Sequence, residues 1–252
     1  MSIPFLLNFF FCALFWLFGM FINISIATPL WVIPSIISSW VLTQYALLLN
    51  NIYLRFRSIN AMIIKLGNLS TEFELKTVFK SKTPLGKPIT RDIININYVS
   101  MKLCQVCEDV ENFYAIPTLL TSIYFIFSTI LSLYLEIPLI NTSHIDLCAI
   151  LIQISCSSWF SMVIINFVTL VSNTVKTTRE FKKLGFNIHL LLDQKEVDLK
   201  TEAALIELSR DLLHRKIEFS IYGMISLDGS LLQVILGTII TYLVILIQTH
   251  PQ

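Results

Sequence analysis

The sequence predicts an all-α polytopic membrane protein with five membrane-spanning helices and a cytoplasmic bundle of anchor helices. Hydrophobic residues make up 55% of the 252 residues, and charged residues only 14%. A soluble domain carries roughly a quarter charged residues. Five apolar stretches of the chain also reach the length of about 20 residues that a spanning helix needs. Most of the chain is therefore expected to lie in lipid.

The first two spans are predicted over residues 5–26 and 35–54. Proline is expected to break the helix between them, at Thr28-Pro29 and Ile33-Pro34, because it lacks an N–H donor and restricts the residue before it. Residues 1–54 contain no charged side chain. A cleaved signal peptide needs a basic start and a short apolar core, so the sequence favours two spans instead.

The basic residues of the chain lie in two segments, residues 55–112 and residues 172–228. Each segment holds nine Lys and Arg, which together account for all 18 in the sequence. Basic residues concentrate on the cytoplasmic side of membrane proteins. We therefore expect both segments in the cytoplasm, the N-terminus inside, the C-terminus outside, and the chain in the plasma membrane. The net charge of +1 argues against a nucleic-acid partner.

The remaining spans are predicted over residues 114–135, 147–171 and 230–248, which gives the chain five regions. Two spans occupy residues 1–54 and two more, with a short extracellular loop, occupy residues 113–171. Cytoplasmic helical extensions occupy 55–112, and cytoplasmic anchor helices occupy 172–228. The last span and an extracellular tail form residues 229–252.

One anchor helix is predicted over residues 198–222. Its apolar residues share one helical face: Leu205, Leu208, Leu212, Leu213 and Ile217. Asp211 and Arg215 are expected to pair at i,i+4. Gly223 is predicted to end this helix, and Asp228 to cap the next one.

The last predicted span carries a stripe of small and polar residues. At 100° per residue, six of them share an arc of about 100°: Val234, Gly237, Thr238, Thr241, Ile245 and Gln248. Such a stripe suits a pore around which several copies meet, because polar groups in a spanning helix face protein or water. It equally suits packing against a neighbouring helix. The residues alone leave both interpretations open.

The C-terminal motif resembles the signature of the insect gustatory receptor family. Thr241-Tyr242 is followed by five hydrophobic residues and Gln248, and Phe219, Asp228-x-x-Leu231-Leu232 and Gly237-x-x-x-Thr241 are similar to the approach to that family's last span. Arg55-Phe56 with Asn60, and Tyr134, are similar to the ends of its fourth and fifth spans. The family has seven spans, so the resemblance implies that this chain corresponds to spans three to seven of an N-terminally truncated receptor.

The resemblance implies a ligand-gated, non-selective cation channel for contact chemosensation of small-molecule tastants. It also implies a tetramer, formed by this chain alone or with related receptors, in which the last span lines the pore. Ile245, Gln248 and Thr249 would then form the outer constriction, with Ile245 as a hydrophobic barrier, and Thr238 and Thr241 would line the pore below. Thr249 departs from the family, which has Phe at that position.

A ligand pocket is expected between the outer halves of the first four spans. Phe21, Trp40, Phe127 and Gln153 are its candidate residues, because aromatic walls with a few polar groups suit small organic ligands.

Other classes of function have weaker support in the sequence. Cys104-x-x-Cys107 has no second pair to complete a structural metal site, so no metal, cofactor or catalytic residue is expected. Basic clusters such as Lys182-Lys183 are expected to meet membrane lipids. The alternatives are a non-functional or accessory fragment of such a receptor, and a G-protein-coupled receptor or transporter. The expected orientation is opposite to that of G-protein-coupled receptors.

Overall fold

The computed structural model describes residues 10, 13, 27–77, 86–141, 147–193, 199–215, 217–223 and 225–249. Within them lie five helices and one small antiparallel sheet. The helices are α1 (Ala27–Thr77), α2 (Gly86–Asn141), α3 (Leu147–Leu192), α4 (Leu199–Leu213) and α5 (Gly229–Thr249), and the strands are β1 (Ser220–Ile221) and β2 (Ile225–Ser226). The predicted all-α class is confirmed.

Three helical stretches of the described residues are long and apolar enough to cross a membrane: Thr90–Tyr134, Cys156–Leu192 and Gly229–Gln248. They contain or overlap the last three predicted spans. The second predicted span is helical within α1 but is not among the three, and Gln44, Asn50 and Asn51 lower its hydropathy. The first predicted span lies outside the described residues, apart from Phe10 and Ala13.

The predicted proline break before the second span is wrong. Helix α1 already begins at Ala27, and Pro34 lies inside it. Pro29 falls in the first turn, where backbone N–H groups have no partner within the helix. Pro34 removes one hydrogen bond, a loss that membrane helices tolerate when neighbouring groups satisfy the freed carbonyl.

The chain divides into two compact units. Unit 1 comprises Met1–Leu47, Asn112–Ser172 and Phe219–Gln252, and unit 2 comprises Leu48–Glu111 and Asn173–Glu218. The sequence ranges of unit 2 contain all 18 Lys and Arg of the chain. The placement of these ranges in the cytoplasm stays a prediction.

In unit 1, buried polar side chains of α1 bond to α2 and α3. The Ser35 and Tyr124 hydroxyls lie 2.7 Å apart, and Trp159 Nε1 donates to Ser35 Oγ at 3.2 Å. One turn further along α1, Asn166 Nδ2 donates to Ser39 Oγ at 2.8 Å. Lipid offers no hydrophobic drive for helix association, so such hydrogen bonds and close packing hold spanning helices together.

Aromatic rings fill the space beside these hydrogen bonds. Phe125 meets Trp159 and Phe167 edge to face, with ring centroids 6.0 and 5.9 Å apart. Tyr45 and Tyr114 stack in parallel at 4.7 Å. Edge-to-face and offset-stacked pairs within about 7 Å are favourable contacts of aromatic quadrupoles. The parts of α1, α2 and α3 that lie in unit 1 are therefore joined by both polar and aromatic contacts.

In unit 2, a buried network centred on Asn60 joins α1 to α3. Asn60 Nδ2 donates to the backbone carbonyl of Glu180 at 2.9 Å and to its carboxylate at 3.1 Å. Asn187 Nδ2 donates to Asn60 Oδ1 at 3.1 Å, and Lys183 Nζ lies 2.7 Å from Glu180 Oε1. The buried carboxylate thus has both a charged partner and a neutral donor, as a buried charge requires.

The predicted anchor helix ends earlier than expected. Helix α4 stops at Leu213, which is 79% exposed, while Thr201, Leu205, Leu208 and Leu212 form its buried face. Ile217, Phe219 and Ile221 are buried beyond it. Their spacing of two residues is the period of a strand, and β1 pairs there with β2. Gly223 therefore lies in a hairpin turn rather than at the end of a helix.

The predicted Asp211–Arg215 pair is also wrong. Arg215 donates to Glu108 of α2 at 2.9 Å, and Asp211 accepts from Asn97 of α2 at 3.1 Å. Because α4 ends before Arg215, the two side chains no longer share the i,i+4 spacing of one helix. Both instead hold α4 against α2 within unit 2.

Replacing Asn166 by Ala should destabilise unit 1, because Ser39 loses its donor and Thr43 loses a long contact to Asn166 Oδ1. Interhelical hydrogen bonds in membranes contribute about 0.5–2 kcal/mol. Reversible unfolding in mixed detergent micelles should show a loss of this size. Ser157→Ala, at an exposed position of α3, is the matched control, and equal losses in the two variants would argue against the Asn166 contact.

Asn60→Ala should destabilise unit 2 more strongly than Asn51→Ala, which changes an exposed residue of the same helix. The change removes both donations to Glu180 and the acceptor of Asn187. Leaving buried partners unsatisfied costs about 1–3 kcal/mol. The thermal midpoint of the purified chain in detergent should fall for Asn60→Ala alone, and unchanged midpoints in both variants would contradict the network.

Candidate functional site

The segment before α5 fixes where that helix begins. Leu227 donates its backbone N–H to the Phe219 carbonyl at 2.8 Å, and Phe219, Ile221 and Leu227 are buried. The turn of the hairpin places Tyr222 and Gly223 at φ 52° and 68°, a left-handed conformation that glycine adopts readily and tyrosine rarely. The hairpin thus leads directly into the first turn of α5.

Asp228 caps α5, as the sequence predicts. Its carboxylate accepts the Ser230 backbone N–H at 2.8 Å and the Ser230 hydroxyl at 2.6 Å. These hydrogen bonds hold the pKa of Asp228 below its usual range, because they stabilise the charged form. A negative charge at this position also complements the positive end of the helix dipole.

Helix α5 has three faces of different character. Leu231, Ile235 and Ile239 are buried against the rest of unit 1. A second face exposes mainly large apolar residues, together with Gln233 near the start of the helix: Leu236, Ile240, Val244 and Ile247. The third face carries the predicted stripe of small and polar residues. At 100° per residue, the centres of the three faces lie roughly 110–135° apart.

The stripe faces away from the chain's own core. Val234, Gly237, Thr241, Ile245 and Gln248 are exposed, and Thr238 is half-buried. A Cβ built on Gly237 would meet nothing within 4 Å. Most of the stripe therefore does not pack against the described part of this chain. Its role, in a pore or in packing against another helix, stays a prediction.

The threonines of the stripe keep their hydroxyl protons within the helix. Thr238 Oγ1 donates to the Val234 carbonyl and Thr241 Oγ1 to the Gly237 carbonyl, both at 2.8 Å. Their oxygen lone pairs remain open on the exposed face. A hydroxyl oxygen accepts hydrogen bonds and coordinates hard cations. This face can therefore accept hydrogen bonds from water or coordinate a cation.

The end of α5 places the other predicted pore residues. Ile245 is 47% exposed and Gln248 is exposed one turn later on the same side. Thr249 is the last residue of the helix, and its side chain lies outside the described part. Helix α5 contains no Asp, Glu, Lys or Arg. The structure therefore brings four of the five pore candidates onto one uncharged side of α5: Thr238, Thr241, Ile245 and Gln248.

The predicted ligand-pocket residues that the structure describes lie on three different helices. Trp40, Phe127 and Gln153 are exposed on α1, α2 and α3 respectively, and Phe21 lies outside the described residues. Their role in a pocket stays a prediction. Ser35, Tyr124 and Trp159 join the same helices by hydrogen bonds, and the sequence analysis did not single them out. The signal for Ser35 was its spacing from Ser39 and Thr43, four residues apart on one helical face.

Cys104 and Cys107 are buried free thiols of α2. Within the described residues, no group of three His, Cys, Asp or Glu side chains is placed to hold a metal ion.

Comparison with known proteins gives the family. The profile of the family described as 7tm chemosensory receptor matches residues 2–252. Gustatory receptor 28a of Drosophila melanogaster is 26% identical over 164 residues, which cover 62% of this chain and 35% of that protein. Gustatory receptor 28b of the same species is 31% identical over 88 residues, covering 34% of this chain and 18% of that protein.

The chain thus spans about a third of the length of the first of these relatives and less of the second. The family match, in contrast, extends over nearly the whole chain and agrees with the helical fold and the apolar spans of α2, α3 and α5. This chain belongs to the 7tm chemosensory receptor family.

Proposed function

We propose that the chain is a subunit of a ligand-gated, non-selective cation channel that detects small-molecule tastants, and that α5 lines its pore. The main observation that supports this proposal is that α5 has three faces of different chemical character. One face packs on unit 1, one exposes mainly apolar side chains with Gln233 near the start of the helix, and one exposes Gly, Thr and Gln. A pore-lining helix needs these three surroundings: its own subunit, lipid or a neighbouring subunit, and water.

The exposure of α5 supports assembly with further copies. Only 17% of the most apolar stretch of α5 is buried within the chain, compared with 33% and 50% of the corresponding stretches of α2 and α3. We propose that four subunits, copies of this chain or of this chain with related receptors, place their polar faces around a common axis. The apolar face of each α5 then meets lipid or the neighbouring subunit.

The proposed gate is the apolar side chain of Ile245 at the far end of the polar face. A ring of such side chains excludes water and so blocks ions without a charged barrier. Gln248, one turn beyond, supplies a polar ring. In the orientation proposed from the basic segments, with the N-terminus cytoplasmic and the C-terminus extracellular in the plasma membrane, this constriction lies towards the outer surface.

The proposed gating step is a movement of α5 in response to a tastant bound among the helices of unit 1. The proposed contact residues for the tastant are still Trp40, Phe127 and Gln153. Phe21 of the first predicted span is the fourth proposed contact. A ligand can shift a closed–open equilibrium only through different affinities for the two states. The ligand is therefore expected to fit the open arrangement of these helices more tightly than the closed one.

Ile245→Ala should raise the ligand-free current of cells that express the chain, because a smaller ring admits water more readily. Ile247→Ala is a close control: the same residue type, two positions on, exposed by 53% where Ile245 is exposed by 47%. Its position on the opposite, apolar face should leave the current unchanged. Whole-cell recording at matched surface expression measures both, and equal currents in the two variants would contradict Ile245 as the gate.

Thr241→Cys should react with a charged, water-soluble methanethiosulfonate reagent and lose most of its tastant-evoked current. Ile240→Cys, the adjacent residue on the apolar face, should react far more slowly because that face meets lipid or protein. The unaltered chain gives the background of its native cysteines. If the chain at the cell surface carries no tastant-evoked current, either alone or with a full-length related receptor, the channel proposal is wrong.

A further inference from the structure

Unit 2 contains a cavity of about 490 Å³ lined by residues of α1 and α2. This volume lies within the roughly 300–1,000 Å³ of small-molecule sites. None of its lining residues belongs to α5 or to the predicted ligand pocket. The inference drawn from it does not rest on the proposed function.

The cavity has an apolar floor and a polar mouth. Ile59 of α1 and Ile96 of α2 are 5% and 8% exposed and form the floor. Lys65, Asp92 and Asn95 line the same cavity with exposed side chains. A ligand that fills this space therefore meets hydrocarbon at one end and two opposite charges with an amide at the other.

The polar groups of the mouth are open to a ligand. Among the residues that the structure describes, Lys65, Asp92 and Asn95 form neither an ion pair nor a side-chain hydrogen bond. Elsewhere in unit 2, Arg215 and Lys183 each pair with a glutamate. The cation and the anion of the mouth can thus each receive a ligand group of opposite charge.

The two charges restrict the chemistry of that ligand. A purely anionic amphiphile would meet the Asp92 carboxylate, and a purely cationic one would meet the Lys65 ammonium. A zwitterion pairs with both, since its anionic group accepts from Lys65 while its own ammonium donates to Asp92. The Asn95 amide can donate or accept at the same edge.

We propose that this cavity binds a single-chain zwitterionic amphiphile, with its hydrocarbon chain between Ile59 and Ile96 and its head group between Lys65 and Asp92. A lysophospholipid with a primary ammonium has this chemistry. The site gives unit 2 a lipid-binding cavity, and its lining residues differ from the predicted tastant contacts.

Binding of radiolabelled lysophosphatidylethanolamine to the purified full chain in amphipol tests the proposal. Saturable binding is expected, and Lys65→Met and Asp92→Asn should each weaken it about three- to fivefold, the range of an exposed ion pair. Lys102→Met and Asp109→Asn, which change exposed charges of α2 that do not line the cavity, should bind as the unaltered chain does. Glycerophosphoethanolamine, the head group without the chain, should not compete.

A change in lipid preference gives a second test, which does not depend on a loss of binding. Asp92→Asn removes the anion of the mouth and should improve binding of the anionic lysophosphatidylglycerol relative to the zwitterion. The proposal is overturned if the mouth variants bind lysophosphatidylethanolamine as tightly as the two controls. It is also overturned if the free head group competes as well as the whole lipid, or if Asp92→Asn leaves the preference unchanged.

Discussion

Helices in lipid depend on polar side chains that find partners on other helices, because hydrocarbon gives no hydrophobic reward for association. In unit 1 that dependence falls on α1, whose Ser35 and Ser39 bond to Tyr124, Trp159 and Asn166 on the two following helices. In unit 2, whose basic ranges are predicted to lie in the cytoplasm, Asn60 joins α1 to α3 through Glu180 and Asn187. Helix α1 thus contributes buried polar contacts to both units, although it contains none of the three described stretches that are apolar enough to cross a membrane.

Helix α5 differs from α1 in how it uses its polar groups. Among the described residues, its threonine hydroxyls donate back to the carbonyls of their own helix, so they do not fasten α5 to its neighbours. Its attachment rests on Leu231, Ile235 and Ile239 and on the hairpin and cap that precede it. Among the described residues, the threonine hydrogen bonds of α5 stay within the helix, so a shift of the helix leaves them intact. This property suits an element that is proposed to move during gating.

The sequence predicted the features that depend on local pattern. It did not predict those that depend on contacts between residues far apart in the chain. The last span, its polar stripe and the Asp228 cap follow from composition, helical period and capping chemistry, and α5 has all three. The end of α4 was not predicted, because the apolar residues from Leu205 to Ile217 have the spacing of a helix. Only the two-residue spacing of Ile217, Phe219 and Ile221 indicates a strand. The partners of Asp211 and Arg215 lie more than 100 positions away, and no local pattern identifies them. The contacts of Ser35 with Tyr124 and Trp159 did not follow either, because these residues lie 89 and 124 positions away in the sequence.

The three faces of α5 also have an evolutionary consequence. Each face accepts a different kind of substitution: the buried face only side chains of similar shape, the apolar face any large hydrocarbon, and the polar face only small or hydrogen-bonding groups. Few positions on such a helix can accept every kind of side chain. A short C-terminal segment can therefore remain recognisable between receptors whose remaining sequence has diverged.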